Sequence, residues 1–327
     1  MRNIFFLVML SVTVLSGCAT QSPENKDGNT PVVQCGDVAN RNHLNILSIN
    51  LLFSEVETRE KRLDAIAEFA AKTPVDVILL QEVAGGTLVH TMNSAQDLQE
   101  KLRARMHEYD LYTAFEVGLP GVLGVANAIL SRCEIDYRVT KRLPHATELK
   151  FQGHDIKLPR NVMMTRINIP NSKQLNIYNT HLCAACTQEE LSEQLDVMLP
   201  FISKLEASFP PGNFAILGGD FNIDRFRTDP FVERPFYDRI IHAGFFDAYA
   251  QNRSLENLCA NAKQPDTHCT VEVSTLDAGG SARRVDYIFM NQAKNVRESR
   301  VVFNTLIDPS QPSVSDHAGV FISVALP

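Results

Sequence analysis

Short apolar segments rich in β-branched residues recur along most of the chain, and many of them end in polar clusters. The run from Val75 to Val83 is interrupted by only three polar residues, which is typical of a strand covered on both faces. Strands are predicted at Leu44–Leu52, Val75–Val83, Leu111–Phe115, Asn127–Ser131, Asp136–Lys141, Val162–Ile169, a segment that ends at His181, Phe214–Leu217, Arg283–Met290, Val296–Phe303 and Ala318–Leu326.

Four other segments repeat their apolar residues at helical spacing. In the first of them, Leu63, Ile66 and Ala70 recur on one face while charged residues occupy the others. Helices are predicted at Arg59–Lys72, Ala95–Met106, Glu189–Leu205 and Phe236–His242. Pro200 is expected to kink or shorten the third helix. Many strands with a few interspersed helices indicate packed sheets covered by helices.

The first residues are typical of a bacterial lipoprotein signal. Arg2 precedes an apolar run too short to span a bilayer, and Leu15-Ser16-Gly17-Cys18 has the pattern of a cleavage site before a lipid-accepting cysteine. We expect lipidation of Cys18, with an ordinary secretion signal as the alternative. The protein is therefore expected to be exported and anchored to a membrane, with the outer membrane favoured, or secreted if it is not lipidated.

The remainder of the chain divides simply. We expect a signal at residues 1–17, a flexible tether rich in Ser, Pro, Asn, Gly and Thr at residues 18–40, and one domain at residues 41–327. No internal repeat or Pro/Gly/Ser-rich break divides that domain, and 44% hydrophobic residues suffice for a sizeable core. Nothing in the sequence implies a protein partner, so a monomer is expected.

The formal charge of −7 argues mildly against a non-specific nucleic-acid binder, although arginines could line a local phosphate cleft. Six cysteines remain after Cys18, and an even number in an exported chain predicts disulfides. Two bonds are favoured, Cys183 with Cys186 and Cys259 with Cys269. A redox or zinc site at the cysteines, with His181 or His268 as further ligands, is the alternative.

Acidic and amide residues follow several of the predicted strands, so strands from the whole chain could deliver them to one rim. Carboxylate and amide oxygens suit Mg²⁺ or Mn²⁺, and a cation with a positioned water is what phosphoester hydrolysis needs. These clusters are Asn50, Gln81-Glu82, Gly219-Asp220-Phe221-Asn222, Arg284-Val285-Asp286-Tyr287 and Asp316-His317.

In this order, the clusters resemble the motifs of the endonuclease/exonuclease/phosphatase superfamily. The resemblance covers nearly all of the predicted domain and includes Asn179-Thr180-His181-Leu182 and Ser315-Asp316-His317. It implies an α+β fold, a four-layer α/β/β/α sandwich in which two mostly antiparallel sheets pack face to face with helices outside. The site would lie at one end of the sandwich.

The resemblance also implies roles for individual residues. Glu82 would be the principal metal ligand, with Asn50 and with Asp316 as a further ligand, and one ion or two ions remain open. Asp220 would orient or deprotonate the attacking water while Asn222 holds the water or a phosphate oxygen. The remaining roles are a phosphate contact by His317 polarised by Asp286, a phosphate contact or general acid at His181, and weaker phosphate contacts at Arg160 and Asn161.

These inferences predict a Mg²⁺- or Mn²⁺-dependent phosphoester hydrolase that uses in-line attack by water. The pattern His181-Leu182-x-Ala184 favours a sphingomyelinase-like phosphodiesterase acting on phospholipid or sphingomyelin. The chain has no Trp and so lacks the tryptophan-bearing hairpin of secreted bacterial sphingomyelinases. An extracellular DNA or RNA nuclease, a non-catalytic surface binding lipoprotein and a cysteine-centred redox or zinc protein are the alternatives.

Overall fold

The computed structural model of the chain describes residues 35, 38, 41–115, 121–151, 153–169, 174–210, 213–228, 231–261, 266–271, 282–292, 296–304 and 313–326. The predicted signal and Cys18 lie outside these residues, as does the predicted tether except for Cys35 and Val38. Both of these residues are buried in the core, so the packed part of the chain begins before residue 41.

Twelve strands and four helices occupy the described ranges. The strands are β1 (His43–Asn50), β2 (Val77–Gly85), β3 (Asp110–Phe115), β4 (Gly124–Ser131), β5 (Ile135–Phe151), β6 (His154–Ile167), β7 (Leu175–His181), β8 (Phe214–Asp220), β9 (Phe246–Asp247), β10 (Asp286–Met290), β11 (Val296–Val302) and β12 (Gly319–Ala325). The helices are α1 (Arg59–Lys72), α2 (Ser94–Arg103), α3 (Gln188–Ser208) and α4 (Arg234–His242). None of these helices is both long and apolar enough to cross a membrane.

The strands form two six-stranded sheets, in the orders β11-β12-β1-β2-β4-β3 and β5-β6-β7-β8-β10-β9. Two neighbouring pairs are parallel, β1 with β2 and β7 with β8, and the other pairs are antiparallel. The prediction of two mostly antiparallel sheets is therefore confirmed.

Alternate residues of the strands enter different cores, which produces the four layers. Leu44 and Ile46 of β1 pack between the sheets, whereas Leu47 and Ile49 of the same strand pack against α1 and α2. A third core lies between the second sheet and helices α3 and α4. This alternation follows from the period of two along a strand. The predicted α/β/β/α sandwich is confirmed.

Two features of the structure differ from the predictions, the length of the β5–β6 hairpin and the course of α3 past Pro200. The hairpin is much longer than the two predicted strands. In its outer part, exposed charged pairs such as Glu148 with Lys157 alternate with buried residues such as Phe151 and Leu158, so the sequence has no continuous apolar run there. Helix α3 continues for eight residues beyond Pro200. A capping box at Thr187 and Glu190 fixes the start of that helix.

The two parallel pairs end at the same edge of the sandwich. Asn50 at the end of β1 is in register with Gln81 on β2, and His181 at the end of β7 is in register with Asp220 on β8. Antiparallel β10 begins at this edge and sets Asp286 opposite Asp220. Strand register alone thus gathers polar residues that are distant in the sequence.

Close packing of β7 against β8 depends on Gly219. This residue has a φ of +140°, and a Cβ added to it would lie 1.9 Å from the Thr180 carbonyl oxygen. No side chain can occupy that space without separating the two strands, which carry His181 and Asp220.

We expect Gly219→Ala to destabilise the fold by more than the roughly 0.5–3 kcal/mol of most single substitutions. Gly244→Ala is the matched control, because Gly244 also has a positive φ, +92°, but has open space around it. The control should lose about 1–2 kcal/mol through backbone strain alone. Denaturant unfolding of both variants measures the difference, and equal losses would contradict the steric explanation.

Candidate active site

Asp220 lies at the centre of the polar cluster, and its side chain is buried. Its Oδ1 accepts a hydrogen bond from the Asn222 backbone N–H at 2.9 Å, and its Oδ2 accepts one from Asn50 Nδ2 at 3.1 Å. Burial raises the pKa of Asp220 from 3.8 to about 7, and the neighbouring Asp286 carboxylate adds to the rise. A carboxylate with such a pKa is suited to accept a proton near neutral pH.

His317 lies on one side of Asp220 and is held by Asp286. Its Nδ1 is 2.8 Å from Asp286 Oδ2, and its Nε2 is 3.8 Å from Asp220 Oδ2. Burial alone would lower the pKa of His317, but the two carboxylates outweigh it and raise this pKa well above its ordinary value. The ring is therefore a cation at neutral pH.

His181 lies on the other side of Asp220 and has the opposite character. Its Nε2 is 3.3 Å from Asp220 Oδ2, and its Nδ1 is 3.0 Å from Arg160 Nη1. Burial, reinforced by the positive charge of Arg160, lowers the pKa of His181 well below its ordinary value. Because a guanidinium can only donate, Nδ1 of this neutral ring must accept, and its proton lies on Nε2 facing Asp220.

Glu82 enters the site through a β-bulge. The pairing of β2 with β4 shifts between Leu80 and Val83, and Glu82 adopts a φ of +54°. Such a conformation costs about 1–3 kcal/mol and persists only where the surroundings enforce it. The half-buried carboxylate accepts a hydrogen bond from the Phe53 N–H at 3.1 Å. Burial raises the pKa of Glu82, and the nearby Asp316 carboxylate adds to the rise.

The oxygen donors around Glu82 fit a hard divalent cation. The negative charge of Asp316 raises the cost of ionising Glu82, and a bound cation would offset this repulsion. Asn50 keeps its Oδ1 within 3.0 Å of the Leu52 N–H while its Nδ2 orients Asp220. These three residues would hold the ion.

Among the described residues near Glu82, Asp220, Asp286 and His317 have potential ligating atoms that all lie within 4.8 Å of one another. His317 is protonated and hydrogen-bonded to Asp286 at 2.8 Å, so its ring has no lone pair to offer a metal ion, and we interpret this group as a hydrogen-bonded pair beside Asp220 rather than a set of metal ligands. Asp286 Oδ1 is buried and has no hydrogen-bond partner among the described residues, so it remains available as an acceptor beside this pair.

Arg160 and Asn161, the weaker candidates for phosphate contact, line a small cleft together with His181. The Arg160 guanidinium donates to Thr147 Oγ1 from Nε at 3.1 Å and from Nη2 at 2.7 Å. Asn161 Oδ1 accepts from Asn127 Nδ2 at 2.9 Å. Arg160 therefore orients His181, and both side chains are engaged within the protein.

Other motif residues support the loops of the site. Asn222 has a φ of +51° and donates its Nδ2 to the Leu182 carbonyl at 3.0 Å, which ties the loop after β8 to the loop after β7. Arg284 forms a buried ion pair with Asp247 at 2.8 Å, and Tyr287 donates to the Arg284 carbonyl at 2.7 Å.

Two supporting residues carry no signal in the sequence. Arg62 of α1 is fully buried and donates to the carbonyls of Leu51 at 2.6 Å and Val314 at 3.0 Å, so it joins the loop after β1 to the loop that carries Asp316. Thr147 lies in the long hairpin and holds Arg160. Each acts only through tertiary contacts, which a single sequence does not reveal.

All six cysteines after Cys18 are paired as disulfides, and the two predicted bonds are confirmed. The third bond joins Cys35 to Cys133. Cys259 and Cys269 lie close to Asp266, but a disulfide leaves them no thiolate to bind a metal.

The raised pKa of Asp220 predicts a pH dependence of stability in the metal-free protein. Between about pH 4 and pH 7 the folded state keeps a proton that the unfolded state releases. The associated stabilisation is complete at low pH and is lost as the pH rises through about 7. The unfolding free energy of the wild type relative to Asp220→Asn should therefore fall by on the order of 4 kcal/mol across this window. Denaturant titrations in chelator measure it, and a difference independent of pH would contradict the assignment.

Comparison with known proteins agrees with this geometry. A model of the endonuclease/exonuclease/phosphatase family matches residues 47–317. Inositol phosphosphingolipids phospholipase C of Schizosaccharomyces pombe is 24% identical over 281 residues, which are 80% of this chain and 63% of that protein. This chain thus spans less than two thirds of the length of that relative.

Two solved structures show the same fold. An endonuclease/exonuclease/phosphatase family protein from Leptotrichia buccalis superposes with a TM-score of 0.60 at 23% identity, over 86% of this chain and 99% of that one. D. rerio TDP2, solved in complex with a single-strand DNA product, gives a TM-score of 0.60 at 18% identity, over 86% of this chain and 98% of that one. With its motifs at one edge of a four-layer sandwich and the family match across both sheets, the chain belongs to the endonuclease/exonuclease/phosphatase family.

Proposed function

We propose that this family phosphoesterase is a divalent-metal-dependent phosphodiesterase that cleaves the head group of a phospholipid, with a phosphosphingolipid as the favoured substrate. The observation that carries the hydrolytic part is the approach of His181 Nε2 and His317 Nε2 to the same oxygen of the buried Asp220 carboxylate, Oδ2, at 3.3 and 3.8 Å. Asp220 can serve as a base that activates water, while the neutral N–H of His181 and the cationic ring of His317 are available to a neighbouring phosphate.

In the proposed reaction, water attacks phosphorus, a new P–O bond forms and the opposite ester P–O bond breaks. Asp220 takes the proton of the water, since its pKa of about 7 matches that task. A divalent cation on Glu82, Asn50 and Asp316 would supply charge neutralisation at the phosphate and the leaving oxygen. Cationic His317 offers an N–H to a phosphate oxygen and opposes the charge that develops there.

The sequence left two roles open for His181, a phosphate contact and a general acid. The neutral state of its ring favours the phosphate contact. A neutral ring that released its Nε2 proton would become an anion beside Asp220, at a high energetic cost. His181 therefore serves as a hydrogen-bond donor to phosphate, with Arg160 fixing its tautomer from behind.

Two observations support a lipid substrate, the name of a relative and the net charge of the chain. The S. pombe relative is named for its action on inositol phosphosphingolipids, and the formal charge of −7 gives this chain no general attraction for polyanions. A nuclease is the competing outcome, since the D. rerio structure holds a DNA product. A substrate panel decides between them.

We expect Glu82→Ala and Asp220→Ala each to reduce turnover by about a hundredfold or more, because each removes a positioned charge or base. Glu68→Ala is the matched control, since Glu68 is an exposed carboxylate of α1 paired only with Lys72 in the described residues. The assay is release of phosphocholine or phosphoinositol from mixed micelles in Mg²⁺, with chelator to remove activity. Near-normal rates in both site variants would refute the assignment.

The same assay compares sphingomyelin, inositol phosphosphingolipid, phosphoinositides, DNA and RNA under identical Mg²⁺ conditions. We expect the phosphosphingolipids to give the highest kcat/KM. A preference for DNA or RNA would retain the phosphodiesterase and reject the lipid substrate. Binding without hydrolysis of any substrate would favour the non-catalytic surface lipoprotein.

We also propose that a lipid on Cys18 anchors the protein to a membrane and brings it to its substrate. Cys18→Ser should move the protein from the membrane fraction to the soluble exported fraction and abolish incorporation of labelled fatty acid. Unchanged fractionation and no labelling of the wild type would contradict the anchor, while leaving the hydrolytic site intact.

A further inference from the structure

The bulge that directs Glu82 into the site is supported from the opposite sheet. Asn179 of β7 is completely buried, and its Nδ2 donates to the carbonyls of Leu80 at 2.8 Å and Ala128 at 2.9 Å. Leu80 and Ala128 form the last regular pair before the register shift between β2 and β4. One amide therefore binds both strands at the position where their ladder is interrupted.

The same amide also binds the bulge itself. Gln81, the residue before Glu82, donates its Nε2 to Asn179 Oδ1 at 2.7 Å. Gln81 is completely buried, and its Nε2 also lies 3.3 Å from Ser48 Oγ on β1. Asn179 thus uses two N–H donors and one acceptor to fix Leu80, Gln81 and Ala128, the residues at which the irregular step begins.

We propose that Asn179 is a positioning residue that holds the Glu82 carboxylate in the orientation needed to bind the cation. It acts through the β2 bulge and touches neither the cation nor the substrate. This inference rests on the proposed function only in taking Glu82 as a metal ligand.

A positioning role is distinct from satisfying buried carbonyls. The left-handed conformation of Glu82 is disfavoured and requires enforcement by its surroundings. The hydrogen bonds of Asn179 provide that enforcement, since without them β2 could relax toward a regular ladder. Because side chains alternate along a strand, a one-residue change of register would turn Glu82 away from its present face.

Asn176 provides a matched control on the same strand. It is also completely buried, but its Nδ2 donates to Glu206 Oε1 at 2.8 Å, on the outer face covered by α3. Asn176→Ala and Asn179→Ala both remove a buried amide from β7. Only the second touches the bulge, so stability alone does not distinguish the two variants whereas metal affinity does.

The test is binding of Mn²⁺ alone, measured by calorimetry and by electron paramagnetic resonance, in wild type, Asn179→Ala and Asn176→Ala without substrate. Loss of a residue that orients a metal ligand typically weakens metal affinity by about 10–100-fold. We expect this loss in Asn179→Ala, partial recovery of turnover at high Mn²⁺, and wild-type affinity in Asn176→Ala. Equal Mn²⁺ affinity in all three folded proteins would overturn the proposal.

Gln81→Met keeps the inference testable if Asn179→Ala does not fold. It removes one of the three hydrogen bonds and leaves both carbonyl contacts of Asn179. A smaller loss of Mn²⁺ affinity in the same direction supports the proposal, and unchanged affinity overturns it. Wild-type Mn²⁺ binding that depends on Glu82 but comes without hydrolysis of any phosphodiester would refute the proposed function and leave the positioning role standing.

Discussion

Burial of the Asp220 carboxylate at the junction of the two sheets is the constraint on which the site depends. An isolated buried charge is costly, so the fold must surround it with donors. Asn50 donates to it from the first sheet and the Asn222 N–H from its own loop, while His181 Nε2 lies 3.3 Å away on the neighbouring strand. These contacts tie Asp220 to both sheets, and its burial raises its pKa to about 7.

The two histidines differ because of what lies behind each of them. Asp286 stands behind His317 and makes it a cation, whereas Arg160 stands behind His181 and keeps it neutral. The same side chain therefore supplies positive charge at one position and an uncharged hydrogen-bond donor at another. A bound phosphate would therefore meet a positive charge at His317 and an uncharged hydrogen-bond donor at His181.

Much of this arrangement follows from the sequence, because the motif residues lie at strand ends and the register of parallel strands brings such ends together. The helix Arg59–Lys72 and the ends of β1 and β7 were predictable from the spacing of the apolar residues and from the polar residues that follow each strand. Periodicity does not reveal the outer half of the β5–β6 hairpin, whose charged pairs give no apolar run, or the two-residue strand β9. The roles of Arg62 and Thr147 arise from contacts across loops and sheets, where no local pattern marks them, and the motif that contains Asn179 does not reveal the contacts of Asn179 with the opposite sheet.

If residues from both sheets converge on a cation and its bound oxyanion, crystals of the protein soaked in Mn²⁺ will show it by anomalous diffraction. We expect a manganese peak within direct bonding distance of the Glu82 carboxylate, on the side that faces Asp220 and Asp316. A manganese peak elsewhere on the protein, with Glu82 making no contact to it, would show that these residues do not form the metal site.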